Sequence, residues 1–170
     1  MSRAVLLAIL LGGCGATIDQ LDPQPHLTLG KTDKHLAVDV GAVPNVFDMR
    51  HALLVRDVHV IRYKWTLRAG FEHAFGGAYS IAPDAAHADL VLVIHRAQPS
   101  LHTSNCERSV CERDMRLDYD AELVDHEGRS VARFADGILE KNASWDAATM
   151  SLVVSRMFEA IGKGFAPPGS

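Results

Sequence analysis

Asp118, Asp120 and Glu122 alternate with apolar Leu117, Tyr119, Ala121 and Leu123, which places three carboxylates on one face of a strand, roughly 7 Å apart at successive positions. Carboxylates so spaced can bind Ca²⁺ or divide acid and base roles. A calcium loop would also need a glycine in the middle of the acidic run, and none is there. An acidic row on a strand is equally the mark of a solvated face that discourages edge pairing, and the three residues are assigned to such a face. Nine histidines are scattered over every kind of segment, with no His-x-x-x-His pair and no Cys/His cluster of the spacing zinc requires. His95, at the end of the apolar run Leu90–Ile94, is expected to be partly buried and satisfied by a neighbour. Neither a Gly-x-Ser-x-Gly elbow nor a phosphate loop occurs. No catalytic residue, metal ligand or cofactor is assigned, and the chain is read as a non-enzyme. The remaining chemistry lies in three thiols, Cys14, Cys106 and Cys111.

The elements that carry these residues follow from periodicity. His35–Val40 alternates apolar and polar residues and reads as a strand, and Leu53–Val60 as a second, weaker one. Tyr63, Leu67, Phe71 and Phe75 recur at helical spacing, and Gly76-Gly77 ends the run. Leu90–Ile94 is apolar on both faces, as in a central strand covered on at least one side by helix. Gln98 to Glu112 reads as a loop. Met115–Leu123 and Ser130–Leu139 form a hairpin around Asp125-His126-Glu127-Gly128. A last helix carries Met150, Val153, Val154, Met157, Ile161 and Phe165, with Ser144 as its N-cap. These elements predict an α+β fold, a two-layer sandwich in which a small, mostly antiparallel sheet of about four strands bears two helices on one face. The chain divides into a signal peptide at 1–13, a flexible tether at 14–34, one domain at 35–166 and a tail at 167–170. Apolar residues at 48%, charged residues at 22% and a formal net charge of −4 suit a globular body with no basic face for nucleic acid.

Arg3 followed by apolar Ala4–Leu11 has the form of an export signal and is too short to span a bilayer, which takes about 20 residues. Its end, Leu11-Gly12-Gly13-Cys14, resembles the bacterial lipobox. That resemblance implies diacylglyceryl transfer to the Cys14 thiol, cleavage before it, acylation of the freed amine with a palmitate-type chain, and a bilayer as partner through the acylated residue. Gly15 in place of aspartate implies, by the same resemblance, passage to the outer membrane with the body facing the periplasm. With Cys14 given to lipid, Cys106 and Cys111 remain as an even pair in an exported protein, and a disulfide between them is expected.

The order of elements behind a lipobox and the Pro23- and Pro25-containing tether, with Ala88-Asp89-Leu90-Val91-Leu92 and Asp125-His126-Glu127-Gly128-Arg129 as its marks, resembles small outer-membrane lipoproteins of the YajG and LptE-like layout. The resemblance implies a non-catalytic adaptor or accessory subunit with a protein partner in an envelope or transport assembly. The alternative is a lipid or small-ligand carrier, or a hydrolase with an unrecognised site. Either would need a pocket of several hundred Å³ between sheet and helices.

Overall fold

The computed structural model describes residues 31–48, 60–107 and 110–165, with backbone alone for 104–107 and 110–111. Its main sheet is built from β1 (His35–Asp39), β4 (Ser80–Ile81), β5 (Leu90–Glu107), β6 (Val110–Asp125) and β7 (Ser130–Glu140), in the order β4-β1-β5-β6-β7. A small antiparallel ribbon joins β2 (Phe47–Asp48) to β3 (Val60–Ile61). Helices α1 (Tyr63–Phe75) and α2 (Ala147–Lys163) complete the fold. β5, β6 and β7 pair antiparallel, whereas β1 runs parallel to both β4 and β5. The expected α+β sandwich is present, with five strands in the main sheet. Most of Leu53–Val60, expected as a strand, lies outside the described residues; Val60 itself belongs to β3.

The two layers meet where the helical and strand periods coincide. Tyr63, Leu67, Phe71 and Phe75 of α1 are sealed from solvent, as are Met150, Val153, Val154, Met157, Phe158 and Ile161 of α2. They pack in one cluster with Leu36, Leu92, Ile94, Met115, Leu117, Tyr119, Ala121 and Leu123, which are alternate residues of the sheet. Phe158, four residues after Val154 and three before Ile161, belongs to the same stripe. An aromatic chain runs through the interface: the Phe75 ring centroid lies 5.2 Å from Phe71, 5.0 Å from Phe165 and 6.2 Å from Phe158. Asp146, not Ser144, caps α2: its side chain accepts from Thr149 N at 2.8 Å. It stands one residue before the helix with extended backbone, the geometry in which a short acceptor reaches the first free amides.

The other face of the sheet is apolar only at one end. Ala37 and Val91 form a second cluster there with Ala82 and Ala88 from the connection between β4 and β5. This covers both faces of β5 at its start, in line with its unbroken apolar run. At the N-terminal boundary, Thr32 N donates to Ala78 O and Ser80 N to Lys34 O, which fastens the entry of the chain to the sheet.

β5 departs most from the expected pattern. Residues 98–107, expected as loop, are strand. A bulge between Ile94 and Arg96 inserts one residue and shifts the inward positions from Leu90, Leu92 and Ile94 to Ala97 and Pro99. His95 and Arg96 therefore both stand on exposed positions. The expectation that His95 would be partly buried fails for that reason.

Candidate ligand cleft and docking surface

Cys14 lies outside the described residues, and so do the side chains of Cys106 and Cys111. The backbone of the latter two is placed on the arms of the β5–β6 hairpin, next to the paired Glu107 and Val110.

The three carboxylates of β6 are brought onto one face, and each meets a basic side chain. Arg116 Nε donates to Asp118 Oδ1 at 2.7 Å, Arg133 donates to both oxygens of Asp120 at 3.1 and 3.3 Å, and His95 Nε2 lies 3.1 Å from Glu122 Oε2. The hydrogen bond from Arg133 holds the Asp120 carboxyl below the usual carboxylate range. Hydrogen bonds from Ser130 and then His95 lower Glu122 in the same way. Groups stabilised as anions are poorly suited to deliver a proton near neutral pH. The row is a solvated, ion-paired face, with Asp118 paired along its own strand and Asp120 and Glu122 paired across strands. No group of three His, Cys, Asp or Glu side chains among the described residues is arranged to hold a metal ion. Other histidines among the described residues also pair with carboxylates, His87 with Asp84 at 2.7 Å and His35 with Asp89 at 3.4 Å.

The concave sites are set by the unequal lengths of the strands. β1 pairs with β5 only from Leu90 to Val93, so β5 runs on from Ile94 with no β1 neighbour. Beside this bare flank the segment after β1 folds back and leaves a cleft of about 320 Å³. Its walls are Ala42, Val43, Pro44 and Phe47 on one side and His95, Arg96, Ala97, Gln98 and Pro99 on the other. Tyr63, whose ring stands 6.1 Å from that of Phe47, donates its hydroxyl to Ala97 O at 3.0 Å. Burial pushes the Tyr63 phenol well above its ordinary value, so it remains a donor. A second cavity of about 420 Å³ lies between α1 and the β1 and β4 end of the sheet, lined by Val38, Arg68, Phe71, Glu72, Ile81, Ala82 and Pro83. No signal in the sequence alone marked either cavity, because both arise where one strand stops and its neighbour continues.

No protein-family model matches the sequence, and no curated protein matches it either. Among solved structures, a minor lipoprotein from Acinetobacter baumannii superimposes with a TM-score of 0.50 at 11% identity, covering 78% of this chain and 91% of that one. The chain shares its fold with a bacterial lipoprotein. Two further likenesses have TM-scores of 0.46. One is uncharacterized lipoprotein B of Nitrosomonas europaea, at 9% identity over 86% of this chain and 87% of that one. The other is a Xanthomonas campestris protein of the DUF330 family, at 15% identity over 83% and 87%. Helices of the described residues are all too short or too polar to cross a membrane.

Proposed function

We propose that this chain is an envelope lipoprotein, held at a membrane by acylated Cys14, whose body serves as a non-catalytic adaptor in a larger assembly. The lipobox resemblance of Leu11–Cys14 supports the anchor, and Gly15 favours the periplasmic side of the outer membrane. The observation that carries the adaptor role is the overrun of the β5–β6 hairpin. β7 pairs with β6 only from Met115 to Val124, and β1 with β5 only to Val93. From Leu101 outward the two arms pair with each other, as in Thr103 with Arg113 and Ser104 with Glu112. Arg113 O accepts from Ala143 N at 2.7 Å and its guanidinium lies over Trp145, 5.6 Å from the ring centroid, so the arm is braced at its base. A braced two-stranded arm standing clear of its own sheet offers backbone edges and side chains to a partner. Exposed Val46, Val60 and Trp65 add scattered apolar contacts near the start of α1.

The test is capture from detergent-solubilised envelope with the full lipidated protein, alongside a variant with His102→Glu and Thr103→Glu on the arm. A defined partner lost in the variant supports the reading. Recovery of no partner, together with a lipid co-purifying in stoichiometric amount, sinks it in favour of a carrier.

A further inference from the structure

We infer that the cleft between the segment after β1 and the bare flank of β5 binds a small amphiphilic anion, its apolar chain against Val43, Pro44, Phe47 and Pro99 and its anionic head on Arg96. This goes beyond the adaptor reading and does not depend on it.

The size and lining fit first. A volume of about 320 Å³ falls in the range of small-molecule sites, which are mostly apolar with a few polar groups that fix orientation, roughly 300–1,000 Å³. The cleft is lined in this way, with aliphatic and aromatic carbon on the loop side and its cation on the strand side.

The sign of the ligand's charge follows from Arg96. Its cross-strand neighbour is Asp120, but both oxygens of Asp120 are engaged by Arg133. Among the described residues Arg96 makes no hydrogen bond or ion pair, and it senses Asp120 only through its field. His95, beside it, is turned to Glu122. A guanidinium with five donors unspent at the lip of an apolar cleft matches a carboxylate or phosphate, which it can grip with two parallel bonds.

The backbone disfavours the other obvious occupant, an added peptide strand. A strand residue turns its amide and its carbonyl to the same side. The Ala97 carbonyl is taken by Tyr63, so Ala97 faces this flank, and Pro99, two residues on, faces it as well. Proline has no amide hydrogen, and its place here is that of a proline on an edge. Beside the cleft the edge therefore has an engaged acceptor followed by a missing donor, and a pairing strand would lose two ladder bonds there. A ligand that uses side chains and surface does not need one.

The experiment uses the full chain carrying Cys14→Ser, so that no acyl group of its own competes, and measures binding by titration calorimetry below micelle-forming concentrations. Decanoate and decyl phosphate are the probes, with decanol and inorganic phosphate as controls. Saturable one-to-one binding of at least one probe is expected, weakened at least ~10-fold by Arg96→Gln and abolished by Ala42→Trp, which fills the cleft from an exposed loop position. The tighter of the two probes identifies the head as carboxylate or phosphate. The inference is overturned by no saturable binding of either probe, by equal affinity for decanol, by inorganic phosphate binding as tightly as decyl phosphate, or by unchanged affinity in both folded variants, as judged by circular dichroism.

Discussion

Arg133 shows how one residue can settle the character of a whole face. By engaging both oxygens of Asp120 it keeps that group ionised and leaves Arg96 without its cross-strand partner. Asp120 and Glu122 both have lowered folded-state pKa values. A depressed carboxylate contributes stability that is fully present above its unfolded pKa and is lost as pH falls through the folded one. Thermal stability should therefore be level from neutral pH down to about pH 5 and fall below the ordinary carboxylate range. Arg133→Gln should lower Tm at pH 7, and the gap from wild type should narrow as pH falls below the ordinary carboxylate range and Asp120 takes up a proton. A gap that stays constant across a series of melts from pH 7 to pH 2 would mean that Arg133 acts through packing instead. The carboxylate row itself was legible from alternation alone. Arg116, two residues before Asp118 on the same strand, was legible in the same way, whereas His95 and Arg133 come from neighbouring strands, whose register the alternation does not give.

Among the elements, α1 and α2 meet closely at Gly70. A Cβ on Gly70 would lie 2.8 Å from Val154 Cγ1 and 3.3 Å from Phe158 Cδ2, and both neighbours are sealed from solvent. Val154 is stiff at χ1 and cannot swing aside. Gly70→Ala should thus lower stability by ~1–3 kcal/mol despite alanine's better helix propensity. Val154→Ala in the same chain should restore part of that loss, a coupling that urea unfolding of the double-mutant cycle reads directly. The periodic stripes that build this interface were visible because 3.6-residue spacing survives in any window. The outer half of β5 was not, since Pro99 and Ser100 read as turn chemistry although an edge strand tolerates both. That half forms a two-stranded arm, and an isolated ribbon is marginal in water. A disulfide between Cys106 and Cys111 would add about 2 kcal/mol for so small a ring. Hydrogen exchange should show amides of 101–107 and 110–114 losing protection on reduction while Tm of the body changes little. Two freely alkylated thiols in the native exported protein would refute the staple.

At the scale of the whole molecule the proposal to be tested is attachment to a membrane. A net charge of −4 repels anionic lipid surfaces, and no helix among the described residues is long and apolar enough to cross a bilayer. The anchor proposed above is the acyl group on Cys14. Each buried methylene contributes roughly 0.8 kcal/mol, so one acyl chain binds reversibly while two or three hold the protein for its lifetime. The expected tether of 14–34 is fastened to the sheet from Thr32 on, and the stretch before it, extended at roughly 3.3 Å per residue, would let the body and its hairpin arm stand tens of Å from the surface. Cys14→Ser should take up no labelled palmitate. It should leave the membrane fraction or persist as the unprocessed precursor, while the melting of its folded body stays that of wild type. Wild-type protein that never incorporates palmitate, with a Cys14→Ser variant that still sediments with membranes as processed chain, would show that the attachment comes from the body. In that case the cleft beside β5, with its apolar wall and Arg96, becomes the first place to look for the lipid contact.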